Sequence, residues 1–144
     1  MTVDDETEAR ILEKAEHVDE AVTRLVGKQE VKLDDYLADW EERAVVERTF
    51  QTAIEACIDV AALLLTAADE PVPETNAEKF ARLAELDVLS EATADQMQNA
   101  AGFRNVLAHN YGHAVNDRQV YRHLQEDLHW FPTFLREVRA FLEP

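Results

Sequence analysis

Apolar residues recur at three- and four-residue intervals along most of the chain, and the gaps between these runs mark out helices. From residue 4 to 26, Ile11, Ala15, Val18, Val22, Leu25 and Val26 form one such series, and Gly27 stands where that helix should stop. Asp34 or Asp35 is placed to cap a second helix. It runs through Tyr36, Leu37, Trp40, Ala44, Val45, Phe50, Ile54, Ile58, Ala61, Leu64 and Leu65 to about Ala68, long enough for a kink. Pro71 and Pro73 break any helix over 69–74. Thr75-Asn76-Ala77-Glu78 fits a capping box, the threonine capping the amides and the glutamate reaching back, and opens a short helix with Phe80, Leu83 and Leu86. After Val88-Leu89, Ser90 caps a fourth helix that carries Met97, Ala100, Ala101, Val106 and Leu107 and should end near Tyr111-Gly112. Asn116 or Asp117 caps the last, with Val120, Tyr121, Leu124, Leu128, Phe131, Phe134, Leu135, Val138 and Phe141; Pro132 within it predicts a kink or a break after Trp130. No stretch alternates with the period of a strand and no segment repeats. The pattern predicts one all-α domain over 1–144, a bundle of about five helices.

Composition agrees. Three glycines and four prolines in 144 residues leave little material for turns. The longest apolar block, Val60-Ala61-Ala62-Leu63-Leu64-Leu65, falls far short of the roughly 18–20 residues of a membrane span. The acidic start Met1-Thr2-Val3-Asp4-Asp5-Glu6 lacks the basic and apolar stretches of a signal peptide, so a cytoplasmic protein without a membrane partner is expected. Cys57 is the sole cysteine; it can form no disulfide within the chain and reads as a small buried hydrophobe. Trp40, Trp130, Phe131 and Phe134 sit at helical spacing in apolar stretches and read as core or interface.

Charge changes the picture more. Thirty acids against fourteen bases give a net charge of −16, spread along the whole chain. Such a surface argues against passive nucleic-acid binding through a general basic face. A basic partner would account for it; a salt-rich cytoplasm accounts for it better, since dense carboxylates keep a protein hydrated while salt screens their repulsion. A halophilic source is therefore expected.

One stretch carries candidate chemistry: Phe103-Arg104-Asn105-Val106-Leu107-Ala108-His109-Asn110-Tyr111. Arginine holds its charge and offers a planar fork of donors suited to phosphate. Histidine can accept or donate a proton near neutral pH. Together they can cleave a phosphodiester without a metal. On an ideal helix, however, five residues turn the chain by about 500°, so Arg104 and His109 point roughly 140° apart. Asn105 and His109 share a face, as do Arg104 and Tyr111. A site that uses Arg104 and His109 together needs a distorted helix, long-side-chain reach or a second subunit. The plain alternative is a solvated arginine and a histidine at the C-terminus of its own helix, where a cation is favoured. His109 and His113 have zinc-like spacing, but Gly112 should end the helix between them and no third ligand is near, so no metal or other cofactor is expected. His17, His123 and His129 are scattered and suggest no function. No glycine-rich phosphate loop and no Ser-His-Asp order is present.

The motif Arg-x4-His-x-Tyr, within Gly102-Phe103-Arg104-Asn105-Val106-Leu107-Ala108-His109-Asn110-Tyr111, resembles the signature of the HEPN superfamily and, within it, the HepT-like toxins. The resemblance extends from Glu47 to Val60, across Phe80–Leu89 and through Val120-Tyr121-Arg122-His123-Leu124, covering about residues 40 to 142. It departs locally at Gly112-His113-Ala114, where relatives often carry bulkier residues. The resemblance implies a helical homodimer whose motifs meet in a cleft between subunits. It also implies metal-independent cleavage of RNA, not DNA, with His109 handling protons, Arg104 holding the phosphate and Asn105 orienting it. It implies, further, an MntA-like nucleotidyltransferase antitoxin that transfers AMP from ATP onto Tyr111. A HEPN module that has lost catalysis and only binds nucleotide or RNA, and a helical interaction protein with no ligand, are the rival readings.

Overall fold

The computed structural model describes residues 3–109 and 116–143. Among them are seven helices and no strand: α1 (Asp5–Val26), α2 (Leu33–Ala38), α3 (Trp40–Ala67), α4 (Asn76–Glu85), α5 (Glu91–His109), α6 (Asp117–Glu126) and α7 (Trp130–Leu142). The all-α expectation holds, and two breaks raise the helix number above five. The first is at Asp39, whose backbone is extended and whose carboxylate accepts the Glu42 amide at 3.1 Å, so that it restarts the chain as the N-cap of α3. Trp40, expected in core or interface, is consequently 67% exposed in the single chain. Lys32, not Asp34 or Asp35, precedes α2; the two acids lie in its first turn, where they complement the helix dipole. The second break precedes Trp130 rather than following it. Pro132 thereby falls in the first turn of α7, where its missing N–H has no intrahelical partner to lose.

Three other helix starts follow the predicted caps. Ser90 Oγ accepts the Thr93 amide at 3.2 Å, and Asn116 Oδ1 accepts the Gln119 amide at 3.1 Å. Thr75 Oγ1 accepts the Glu78 amide at 3.2 Å; the reciprocal bond from the Glu78 side chain is not made among the described residues. Gly27 closes α1 in a right-handed conformation. Two later ends are unusual. Asp69 and Asp87 follow α3 and α4 at φ of 58° and 59°, the left-handed region that favours glycine. Each builds a Schellman closure: Asp69 N–H donates to Thr66 O and Glu70 N–H to Leu65 O, both at 3.0 Å, while Asp87 N–H donates to Ala84 O at 3.0 Å and Val88 N–H to Leu83 O at 2.9 Å.

α3 is the axis of the bundle. Val46, Phe50, Ala53, Ile54, Cys57, Ile58, Val60, Ala61, Leu64 and Leu65 are all buried along it, against α1, α2, α4 and α5. α1 lies antiparallel to it, tied by Lys14–Asp59 at 3.3 Å and Lys28–Glu42 at 3.2 Å. By length and composition α3 could cross a membrane, but half of its most apolar stretch is buried inside the bundle. Cys57 is fully buried, as expected, and burial pushes its thiol far above the ordinary range. Phe80 and Phe134 pack edge-on at 5.6 Å, joining α4 to α7.

Candidate active site

The site is carried by the C-terminal half of α5, and Phe103 sets its register. That ring is buried against Phe50 of α3 at 5.3 Å, His123 of α6 at 4.2 Å and Trp130 of α7 at 6.5 Å between centroids. His123 is itself stacked on Trp130 at 5.1 Å, and its Nδ1 lies 2.7 Å from Asp127 Oδ2. The histidine that suggested no function in the sequence is thus a packing element behind the motif. With Phe103 turned into the core, the next residue, Arg104, emerges beside α3.

Arg104 does not extend freely into solvent. Its Nε and Nη2 donate to Glu55 Oε1 at 3.3 and 3.0 Å, and its Nη1 approaches Asn105 Oδ1 at 3.4 Å. The same Glu55 oxygen accepts Gln51 Nε2 at 3.2 Å, one helical turn earlier on α3. The guanidinium has five N–H groups. Three face these partners, which leaves one on Nη1 and one on Nη2 for an incoming anion. The side chain is 23% exposed and that of Glu55 36%, so the pair sits at the border between core and solvent.

His109 is exposed at the end of described α5 and makes no hydrogen bond or ion pair among the described residues. Five residues along a helix also separate it from Arg104 by about 7.5 Å of rise. The chain therefore brings Arg104 and Asn105 together, while helix geometry turns His109 about 140° away from Arg104 and onto the face of Asn105. Tyr111, Asn110, Gly112 and His113 lie outside the described residues. Among those described, no group of three or more His, Cys, Asp or Glu side chains is placed to hold a metal ion. Glu55 and Gln51 are the site residues that the sequence did not single out. Their four-residue spacing gives a shared face, but nothing in it points to an arginine 49 positions away.

The profile of the family described as Ribonuclease HepT-like matches residues 11–140, which is most of the chain and every described residue of the site. The chain belongs to that family. This HepT-like chain is 29% identical over 114 residues to the tRNA nuclease HepT of Aphanizomenon flos-aquae, covering 79% of this chain and 77% of that protein. It is 27% identical over 90 residues to the mRNA nuclease HepT of Shewanella oneidensis, covering 62% and 67%. Its fold superimposes with a TM-score of 0.82 on a structure described as the tri-AMPylated Shewanella oneidensis HEPN toxin in complex with MNT antitoxin, at 22% identity over 91% of this chain and 97% of that one. The HepT-like assignment and the HEPN-like helical fold expected from Arg104, His109 and Tyr111 are both established.

Proposed function

We propose that this HepT-like chain is a metal-independent endoribonuclease, the toxin of a toxin–antitoxin pair, working as a cytoplasmic homodimer on RNA and not on DNA. The observation that carries the reading is a guanidinium docked at the core border with two N–H groups left over, five residues before an exposed histidine, within the stretch matched by the family. In this reaction His109 takes the proton from a ribose 2′-OH as that oxygen attacks phosphorus, or supplies one to the departing 5′-oxygen. Arg104 binds the phosphate and stabilises the charge that builds in the transition state. Asn105, exposed beside the guanidinium, orients a phosphate oxygen. The products are a 2′,3′-cyclic phosphate and a 5′-OH, and the need for a 2′-OH excludes DNA.

A second protomer removes the angular conflict, because Arg104 from one copy and His109 from the other can face one cleft. Two features support this assembly. Val106, within the motif, is 41% exposed, and Val45 and Trp40 on α3 are 47% and 67% exposed. Gly102, within α5, has open space where a Cβ would sit, so another chain can approach closely there. The net charge of −16 also supports a salt-rich cytoplasm as the working environment.

Neutralisation is assigned to AMP transfer from ATP onto Tyr111 by an MntA-like nucleotidyltransferase. The tri-AMPylated state of the Shewanella oneidensis toxin in its complex with the MNT antitoxin supports it. Each added AMP brings a negative phosphate and a bulky base beside the site, repelling and blocking RNA. The test uses the purified chain, RNA and a chelator. Cleavage should proceed, and His109→Ala and Arg104→Ala should each remove most of it, by about 10²- to 10⁴-fold for a positioned general base. Tyr111→Phe should cleave RNA yet resist the nucleotidyltransferase and ATP. A requirement for a divalent metal, or activity that survives both substitutions, rejects the mechanism; RNA binding without turnover by the native chain favours the inactive-module reading.

A further inference from the structure

We infer that Glu55 is a positioning residue for Arg104, fixing which edge of the guanidinium meets the phosphate; the inference rests on the catalytic reading of Arg104 above. A carboxylate interrupts the apolar run Ala53-Ile54-Glu55-Ala56-Cys57-Ile58 in the central helix of the bundle. As a half-exposed ion pair it adds little to stability, since such pairs contribute about 0–1 kcal/mol. Its geometry is nonetheless specific. One oxygen, Oε1, receives three donors: Arg104 Nε at 3.3 Å, Arg104 Nη2 at 3.0 Å and Gln51 Nε2 at 3.2 Å. Gln51 holds the carboxylate from one turn away, and the carboxylate holds the Nε/Nη2 edge of the fork. The opposite edge, formed by Nη1 and Nη2, is left to face an anion. An arginine side chain free to sample its rotamers would present that edge only part of the time.

The arrangement separates two effects. Removing Glu55 releases the fork, which lowers turnover. It also removes a negative charge beside the phosphate site, which leaves substrate binding unchanged or tighter. Glu55→Ala should therefore lower kcat by between about 10- and 100-fold, the range expected of small misplacements of a reacting group, with KM unchanged or reduced. Glu55→Gln keeps an acceptor oxygen at the same reach and should recover most of the loss. Glu55→Asp, one methylene shorter, should not. In an Arg104→Ala background Glu55→Ala should add nothing, because it acts through that arginine.

The measurement is steady-state RNA cleavage by the full chain in a chelator, with thermal melts to confirm that each variant is folded. The Arg104 Nε–Hε resonance, assigned by its loss in Arg104→Ala, gives a readout that needs no turnover: it should be protected from exchange in the native chain and in Glu55→Gln, and exposed in Glu55→Ala. A folded Glu55→Ala with native kcat, a loss that adds to that of Arg104→Ala, or an unprotected native resonance overturns the inference. If Arg104→Ala itself keeps full activity, the catalytic reading of Arg104 fails instead, while the protected resonance still reports the contact.

Discussion

Truncating Phe103 to alanine is expected to destabilise the site and the bundle together. The ring is 4% exposed and meets Phe50, His123 and Trp130, so three other helices lose a partner at once. An aromatic side chain buries about 150–250 Å², which at about 25 cal/mol per Å² amounts to roughly 4–6 kcal/mol of transfer free energy, part of it retained by the alanine methyl. The unfilled space adds to the loss, and buried Phe→Ala changes cost about 3–5 kcal/mol. Against a total stability on the order of 5–15 kcal/mol this is a large fraction. For a chain of this length it corresponds to a fall in Tm of about 10–20 °C. Calorimetry and far-UV circular dichroism at fixed salt would measure it. A double-mutant cycle with His123→Ala should show a coupling of about 0.5–1.5 kcal/mol for the stacked pair. A loss below about 1.5 kcal/mol, or a strictly additive cycle, would show that Phe103 does not anchor α5 and that the placement of Arg104 has another cause.

Other expectations follow from particular residues. Asp87→Gly relieves a left-handed aspartate at a helix C-terminus, where its charge also opposes the dipole, and should raise stability by about 1 kcal/mol in thermal melts; a destabilised variant would contradict the strain argument. Burial, and then Asp117, hold the Glu47 carboxyl above its ordinary range, with Arg43 opposing them. Its ionised form is therefore a cost at neutral pH that disappears as pH falls and the group takes up a proton, so Glu47→Gln should be more stable than the native chain at pH 7 and equal to it below about pH 4. Denaturation curves of equal midpoint at both pH values would reject this. Light scattering in molar salt should give at least a dimer, and compactness should be lost at low salt as the excess of 16 negative charges loses its screening; a monomer of 16.4 kDa at high salt would refute the assembly.

Features governed by a few neighbouring residues could be read from the chain itself. Ser90, Asn116 and Thr75 cap because their side chains reach an amide three residues on, a purely local fact. The break at Asp39 was hidden because Tyr36, Leu37 and Trp40 keep helical spacing across it; the pattern reports which residues are apolar, while the aspartate decides where the helix restarts. The same limit applies to the site. The 140° separation of Arg104 and His109 follows from helix geometry alone, since both lie within α5. The carboxylate of Glu55 is joined to Arg104 only by the packing of α3 on α5, and no spacing rule reaches across 49 residues.

The central position of α3 governs how this protein can lose activity. The residue that holds Arg104 stands on a helix whose buried face packs against four others, so release of its backbone amides is expected to need opening of most of the bundle. This half of the site therefore has no loosened intermediate of its own: amide exchange along Phe50–Leu65 should report the global free energy, and heat inactivation should coincide with melting. Control that spares the fold must then act from outside the core, by covering or charging the exposed end of α5.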